Sequence, residues 1–253
     1  MVEASSGSTS IAMALACAQM QLHFTAVMPE GVTEERIFTI RAYGGEVLLT
    51  PRAEGIHGAV ARAKEEARTR GAFAPLQFQN PDNVEAHRMW TGQEILAQIP
   101  CGIVHGLASG VGTGGTLMGL YQAFTNAGCP TAAFVARPIS WRGGTDVECC
   151  SFSSRVPGVV EGISTLYRPA DLGNMVVLEI PEEEAIATTR KLIQRGFPVG
   201  PSSGLNYAAA VRAAGQLGSD AQVVTVFADR MERYFSSDLF HKKETERNPL
   251  KAS

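Results

Sequence analysis

The sequence has no strong excess of charge of one sign. Its 253 residues contain 22 lysines and arginines against 25 aspartates and glutamates, so the formal net charge is −3. The basic residues are scattered along the chain, whereas proteins that bind the phosphate backbone of nucleic acids concentrate them in patches. Nucleic acid is therefore excluded as an expected partner.

The sequence also has no apolar run long enough to cross a membrane. The apolar run 11–18 is followed by Gln19, Gln21 and His23, and no basic residue precedes it. A membrane-spanning helix needs about 20 apolar residues, and a secretory signal begins with a basic segment. The run is interpreted as a small-residue helix packed inside the protein, and no membrane partner is expected.

Cysteine and histidine occur without the spacing of a metal site. There are five of each, and the cysteines are Cys17, Cys101, Cys129, Cys149 and Cys150. An odd number of dispersed cysteines is typical of reduced thiols in a cytoplasm. The sequence therefore predicts a cytoplasmic protein with no bound metal.

Helix and strand patterns alternate from one end of the chain to the other. Helices are predicted over 8–20, 34–43, 56–69 and 181–195, and strands over 23–28, 47–49, 73–78, 103–108 and 222–227. Thr33 is expected to cap the second helix with its hydroxyl. Repeated strand–helix units with short loops form a mostly parallel sheet flanked by helices, which binds its ligands at the carboxyl ends of the strands. The predicted fold class is α/β.

The glycine-rich segment 112–116 lies at such a strand end. An apolar strand pattern precedes it, and Leu117, Leu120, Tyr121 and Phe124 follow it at helical spacing. Glycines allow the backbone to approach a ligand closely, and the N–H groups that begin a helix attract an anion. The segment therefore predicts a site for a phosphorylated small molecule.

Two further loops place hydroxyl groups at the start of a predicted helix. Residues 5–9 read Ser-Ser-Gly-Ser-Thr, and residues 200–204 read Gly-Pro-Ser-Ser-Gly. The first arrangement is suited to a carboxylate, which accepts hydrogen bonds from amides and hydroxyls. Taken singly, each loop is equally well interpreted as a helix cap.

Taken together and in order, these loops resemble the tryptophan-synthase-β-like family of pyridoxal-phosphate (PLP) enzymes, and within it the cysteine synthases. Residues 3–9 are similar to the family's Glu-Pro-Thr-Ser-Gly-Asn-Thr substrate loop, and residues 77–81 to its Gln-Phe-x-Asn-Pro segment. Further family segments match the chain at residues 28–30, 35–36, His87, 91–92, 94–95, 112–116, 202–204 and 232–234. The resemblance covers nearly the whole chain.

The resemblance implies a two-lobed fold in which each lobe is a mostly parallel sheet flanked by helices. Residues 1–96 form the smaller lobe with the substrate loop, residues 97–243 the larger lobe with the phosphate site, and residues 244–253 a tail. It also implies PLP as the cofactor, a small amino acid as the substrate, and a homodimer. The implied reaction expels acetate from O-acetylserine and adds sulfide to give cysteine.

The resemblance assigns a role to individual residues. The phosphate of PLP is bound by Gly112, Thr113, Gly114, Gly115 and Thr116, and its ring by Ser8 and Ser202. The carboxylate of the substrate is bound by Ser5, Ser6, Gly7, Thr9 and Gln77. A serine hydroxyl at the ring nitrogen, in place of a carboxylate, favours elimination at the β-carbon.

Lysine is the residue whose scarcity matters most for this resemblance. The chemistry needs a lysine that forms a Schiff base with PLP, and in the family it precedes the substrate loop. The chain has five lysines, namely Lys64, Lys191, Lys242, Lys243 and Lys251, and all of them follow that loop. No catalytic lysine is therefore predicted, and PLP is expected to bind without a covalent bond.

Three interpretations of this mismatch stay open. The chain is a cysteine synthase that lacks its N-terminal portion and is inactive as it stands, or a non-catalytic pseudoenzyme that binds an amino acid or a phosphate and regulates a partner. The third is a cysteine desulfhydrase or a lyase similar to the serine/threonine dehydratases. Ser8 replaces a family asparagine, which leaves the reaction subtype open, and Arg230 and Met231 replace small residues and are expected to narrow the ring site.

Overall fold

The architecture was determined from a computed structural model of the chain. It describes residues 1–139, 156, 162–237 and 239–240. Cys149, Cys150, the lysines after residue 240 and the expected tail 244–253 lie outside the described residues.

The first sheet has three parallel strands in the order β1-β2-β3. They are β1 (Val2–Ala4), β2 (Thr25–Pro29) and β3 (Glu46–Thr50), and the helices between and after them are α1 (Ser8–Gln19), α2 (Glu34–Ala42) and α3 (Gly55–Arg70). Side chains of β2 alternate between the faces: Val27 packs towards α3, and Ala26 and Met28 pack towards α1 and α2. Helices therefore cover both faces of this sheet.

The second sheet has four parallel strands in the order β6-β5-β4-β7. The strands are β4 (Gly106–Gly110), β5 (Ala132–Ile139), β6 (Val176–Pro181) and β7 (Val223–Thr225), and the helices are α6 (Gly115–Asn126), α7 (Glu182–Gln194) and α8 (Pro201–Leu217). In β4, Leu107 packs on the α6 side and Ala108 on the side of α7 and α8. This sheet is also buried on both faces, which is typical of parallel sheets.

A helical segment leads from the first sheet to the second. It consists of α4 (Asp82–Ala86), a π-helical turn (His87–Thr91) and α5 (Gly92–Gln98), and all three parts pack on α6. Single 3₁₀ turns lie at Arg52–Glu54, Pro100–Gly102, Pro169–Asp171 and Met231–Tyr234. Gly119 of α6 makes the close packing possible, because a methyl group there would overlap the carbonyl of Val84 and lie 2.7 Å from Cβ of His87.

Polar contacts join the first sheet's helices to the segment after β7. Thr33 Oγ1 donates to the carbonyl of Arg233 at 2.6 Å, and Arg233 Nη1 donates to Ser8 Oγ at 2.8 Å. The hydroxyl of Ser236 donates to Glu35 Oε2 at 2.8 Å. These bonds hold the start of α1 and α2 against residues 231–236.

The structure confirms the α/β class and the alternation of elements, but it corrects three local expectations. The strand expected over 73–78 was wrong: Pro75 has no N–H to donate, Leu76 adopts a positive φ of 55°, and no strand forms there. Thr33 occupies the position before α2, but its hydroxyl bonds to Arg233 instead of capping the helix. The last strand is shorter than expected and half-buried.

The described part of the chain agrees with a protein whose helices pack on its own sheets. None of its helices is long and apolar enough to cross a membrane. Among the same residues no group of three or more histidine, cysteine, aspartate or glutamate side chains could hold a metal ion. The division between lobes after residue 96 stays a prediction.

We predict that Gly119→Ala destabilises the protein, because the added methyl group would push α4 and the π-helical turn away from α6. Overpacking of this kind costs about 1–3 kcal/mol. Gly215→Ala is the matched control, since Gly215 also lies inside a helix and a methyl group there meets no atom within 4 Å. Urea unfolding would show a loss for Gly119→Ala and no loss for Gly215→Ala; equal midpoints for both variants would contradict the prediction.

Candidate functional site

A cavity of about 530 Å³ opens at the carboxyl ends of the strands of both sheets. Ser5 and Ser6 follow β1, residues 112–114 follow β4, and Ala228 and Asp229 follow β7. The strand order brings these loops together, as expected for parallel sheets. The cavity is therefore lined by residues that are far apart in the sequence.

The glycine loop forms the wall of the cavity at the start of α6. Gly114 has a φ of +84°, in the left-handed region, and a Cβ there would lie 2.8 Å from Cβ of Tyr167. Gly115 begins α6, and a Cβ on it would overlap the side-chain amide of Asn83. Both positions need glycine for these close approaches, and the loop ends at the start of α6, where N–H groups attract an anion.

Two side chains of the helical segment 82–98 contact the threonines of the glycine loop. Asn83 Nδ2 donates to Thr113 Oγ1 at 2.9 Å, and His87 Nε2 lies 3.0 Å from Thr116 Oγ1. On its other side, His87 Nδ1 lies 3.1 Å from Thr91 Oγ1. Burial lowers the pKa of the His87 imidazole, so the ring is neutral at pH 7.

The loop 5–9 and residue 77 are tied together on the opposite wall. Thr9 Oγ1 donates to Gln77 Oε1 at 2.7 Å, and Gln77 Nε2 donates to the carbonyl of Ala4. The buried carboxylate of Glu3 accepts from the backbone N–H groups of Ala4 at 2.9 Å and Gln77 at 3.1 Å. Burial raises the pKa of this carboxyl group, and the backbone hydrogen bonds counteract part of the shift.

A buried polar cluster lies beside Ser202 at the third wall. Ser203 Oγ donates to Asp229 Oδ1 at 2.9 Å, and the hydroxyl of Tyr234 donates to Asp229 Oδ2. Burial, followed by the neighbouring carboxylate of Asp229, raises the pKa of Tyr234. Gly200 lies so close to this pair that a Cβ would overlap the Asp229 carboxylate.

Arg36 connects this cluster to the loop 5–9. It is buried, its guanidinium lies 4.6 Å from the centre of the Tyr234 ring, and Nη1 donates to Thr33 Oγ1 at 3.0 Å. Its side chain fills the space that a Cβ on Gly7 would need, and Gly7 itself has a φ of +148°. A side chain at residue 7 would therefore displace Arg36.

Most of the predicted site residues face this one cavity. Its lining includes Ser5, Ser6, Ser8, Thr9, Gln77, Gly112, Thr113, Gly114, Thr116 and Ser202. Gly7 and Gly115 do not line it; they are the points where Arg36 and Asn83 pack against the two loops. Their direct part in binding stays a prediction.

The structure also corrects one expectation about the ring site and adds residues to it. Arg230 is exposed, pairs with Glu232 and does not line the cavity, so Arg230 and Met231 do not narrow it. Asn83 and Asp229 line the cavity and were not predicted as site residues. Asn83 lies four residues before His87, one helical turn away, and this spacing is the signal by which it could have been found.

The walls of the cavity fit PLP. The cavity is lined by Gly112, Thr113, Gly114 and Thr116 of the glycine loop, which present hydroxyls and the start of α6, where a phosphate binds favourably. The opposite wall offers hydroxyl and amide groups suited to a carboxylate, and Ser202 offers a hydroxyl to the ring. The fold and site thus define an α/β protein for a phosphorylated cofactor and an amino acid.

The chain belongs to the family of pyridoxal-phosphate dependent enzymes, whose model matches residues 1–229. Its two parallel sheets with helices on both faces form the tryptophan-synthase-β-like fold of that family, and its cofactor is PLP. The family's enzymes act on small amino acids.

Known relatives are similar over almost the whole chain. A cysteine synthase of Staphylococcus aureus (strain MW2) is 33% identical over 247 residues, which are 94% of this chain and 76% of the relative. A probable cysteine synthase of Bacillus subtilis (strain 168) is 36% identical over 251 residues, with 94% and 77% covered. The solved structure of a hydrogen sulfide-producing enzyme from Fusobacterium nucleatum superposes with a TM-score of 0.83 at 32% identity, covering 96% of this chain and 74% of that one.

We predict that His87 makes the stability of the protein depend on pH. Its pKa is lower in the folded chain than the ordinary value of 6.5, so between the two values the unfolded chain binds more protons. The free energy of unfolding therefore falls as the pH drops through 6.5, by at most about 1.4 kcal/mol per pH unit. Denaturant unfolding from pH 7.5 to 5 checks this: His87→Gln should lose that part of the slope, and identical slopes would refute it.

Proposed function

We propose that this chain binds PLP in the described cavity and positions a small amino acid against it. Residues Gly112, Thr113, Gly114, Gly115 and Thr116 bind the phosphate, and Ser8 and Ser202 contact the ring. The observation that carries the proposal is the convergence of three separate loops on one cavity. Each loop singly is a helix start, but together they match the parts of one ligand.

The amino acid binds between the cofactor and the loop 5–9. Its carboxylate is held by Ser5, Ser6, Gly7, Thr9 and Gln77. The bonds of Gln77 to Thr9 and Ala4 fix the Gln77 amide in place before the substrate binds. Such preorganisation aligns the α-hydrogen for removal. PLP supplies the electron sink for chemistry at the α- and β-carbons when it is bound.

The reaction that we propose for this site is replacement at the β-carbon of O-acetylserine by sulfide, which gives cysteine. The names of the Staphylococcus aureus and Bacillus subtilis relatives support it. A release of hydrogen sulfide from cysteine is the second candidate, favoured by the similarity to the Fusobacterium nucleatum enzyme. A homodimer and a cytoplasmic location are part of the same proposal.

The described lining of the cavity contains no lysine, and the described lysines, Lys64 and Lys191, lie exposed on α3 and α7. We therefore propose that this chain holds PLP without a covalent bond. In this state it is a binding protein for the cofactor and the amino acid, which is the role expected of a pseudoenzyme. The replacement at the β-carbon needs a lysine at the cofactor, so on this proposal the chain by itself binds the ligands without completing the reaction.

We predict that the chain binds PLP and that Thr116→Val weakens the binding about tenfold or more, since a hydrogen bond to a charged group contributes about 1.5–3 kcal/mol. Titration followed by PLP fluorescence gives the affinity. Reduction with borohydride followed by mass spectrometry should leave PLP unattached. Thr125→Val, at the far end of α6, is the control with unchanged affinity.

Labelling of one lysine in stoichiometric amount would overturn non-covalent binding, and a wild-type chain that does not bind PLP would overturn the function.

We predict that an amino acid changes the absorbance of bound PLP and that Gln77→Ala weakens this response. Without the Gln77 amide, the carboxylate of the amino acid loses one hydrogen-bond donor, and the hydroxyl of Thr9 loses its partner. The apparent affinity for the amino acid should therefore fall about tenfold. Titration with L-serine and O-acetylserine at saturating PLP measures it. Gln79→Ala is the control, because Gln79 is exposed and does not line the cavity. Equal responses of both variants would remove Gln77 from the site.

A further inference from the structure

Asn83 and His87 lie one helical turn apart, and each contacts a different threonine of the glycine loop. Asn83 bonds to Thr113 and His87 to Thr116. Each side chain also has a second partner, the carbonyl of Gln77 for Asn83 and the hydroxyl of Thr91 for His87. These second partners determine which atom donates in each contact with a threonine.

The orientation of the Asn83 amide is fixed by a second bond. Nδ2 also donates to the carbonyl of Gln77 at 2.9 Å, and a carbonyl can only accept. Asn83 Nδ2 is therefore the donor towards Thr113 as well. Because the same amide group bonds to residue 77 and to residue 113, it joins the wall of the predicted carboxylate site to the wall of the predicted phosphate site.

Thr113 Oγ1 accepts hydrogen bonds on both of its lone pairs. One comes from Asn83 Nδ2 at 2.9 Å and the other from the N–H of Gly115 at 3.3 Å. A hydroxyl group has two lone pairs and one hydrogen. With both lone pairs occupied by donors, the hydroxyl hydrogen is left to be donated, and an anion in the cavity is the partner that can accept it.

The same arrangement is available at Thr116. A neutral imidazole donates through one nitrogen and accepts through the other. When His87 carries its hydrogen on Nε2, it donates to Thr116, and Nδ1 accepts from the hydroxyl of Thr91, which lies 3.1 Å away. In this tautomer Thr116 keeps its own hydrogen for the cavity. In the other tautomer Thr116 must donate to His87 and has none left.

Glycines allow this contact to be so close. A Cβ on Gly115 would overlap the amide of Asn83, and a Cβ on Gly119 would lie 2.7 Å from Cβ of His87. The π-helical turn begins at His87 and ends at Thr91, the two residues that share the imidazole contact. Such turns occur frequently at functional sites.

We propose that Asn83 and His87 are positioning residues that turn the hydroxyl hydrogens of Thr113 and Thr116 towards the phosphate of PLP. The inference deepens the proposed function and rests on it, since it concerns the same phosphate site. Asn83 and His87 need not touch the phosphate themselves. They act by occupying the acceptor sites of the two threonines, so that each hydroxyl binds as a donor.

Variants that exchange a donor for an acceptor at nearly constant size test the proposal. Asn83→Asp also loses the bond to the carbonyl of Gln77, and the Thr113→Val background separates that loss from the effect on Thr113. Asn83→Asp turns a donor into an acceptor, so Thr113 must donate to residue 83 and loses its hydrogen for the anion. Asn80→Asp is the matched control: Asn80 also lines the cavity, but its Oδ1 already accepts from the N–H of Asp82, so the aspartate keeps that bond. Both variants add the same charge to the lining.

The expected result is a loss of PLP affinity of about 30-fold or more for Asn83→Asp and less than about threefold for Asn80→Asp, measured by fluorescence titration. Inorganic phosphate, followed by ³¹P NMR, should show the same order. When Thr113 is already valine, adding Asn83→Asp should lower the PLP affinity little further, because residue 83 acts on the phosphate through the hydroxyl of Thr113. His87→Gln keeps a donor at the position of Nε2 and should retain PLP binding. His87→Glu has no donor there and should lose PLP binding.

Four outcomes separate the possibilities. Equal losses for Asn83→Asp and Asn80→Asp, or an undiminished loss in the Thr113→Val background, would overturn the inference and leave the proposed function standing. A wild-type chain that binds neither PLP nor phosphate would overturn both. ¹⁵N NMR of His87 in the presence of phosphate should show the hydrogen on Nε2; a hydrogen on Nδ1 would overturn the part that concerns Thr116. Circular dichroism and urea unfolding establish that each variant is folded.

Discussion

The site depends on the close packing of one helical segment, 82–98, against α6. The segment follows the first sheet in the chain, but its side chains contact the glycine loop and α6 of the second sheet. Glycines at 92, 115 and 119 remove the side chains that would otherwise hold the two elements apart. Protein interiors leave few gaps, so a separation of even one methyl group here would be transmitted to the loop that faces the cavity. The geometry of the glycine loop is thus set from outside the loop.

A buried carboxylate helps to hold the opposite wall. Glu3 accepts N–H groups from its own strand and from residue 77, so the side chain ties the loop 74–80 to the end of β1. The segment around Pro75 does not form a strand with β1. One backbone hydrogen bond, from the N–H of Val2 to the carbonyl of Phe73, joins the two. Burying a carboxylate is costly, and the hydrogen bonds from the backbone offset that cost.

The elements with strong periodicity or clear end signals were predictable. Helices α1, α2, α3 and α7 begin and end close to the expected residues, because glycine or a charged first turn marks their ends. The segment 73–78 was not predictable: it is apolar and extended in sequence pattern, but its positive φ at Leu76 and its tie to Glu3 are tertiary features. Most of the predicted residues that line the cavity were assigned by the family resemblance, and only the glycine loop was also placed by the strand pattern before it. Asn83 and Asp229 were missed because their roles arise from partners more than 20 residues away in the sequence.

Arg36 lies where the loop 5–9 and the cluster beside Ser202 meet. Its stem packs on Gly7, its guanidinium packs on Tyr234, and Tyr234 bonds to Asp229, which bonds to Ser203. A shift of the loop 5–9 at Gly7 would therefore move Arg36, and with it the ring of Tyr234 and its bond to Asp229. The same contacts act in the other direction, so a change beside Ser202 would reach the loop 5–9. The packing of one arginine thus joins the wall of the predicted carboxylate site to the wall of the predicted ring site.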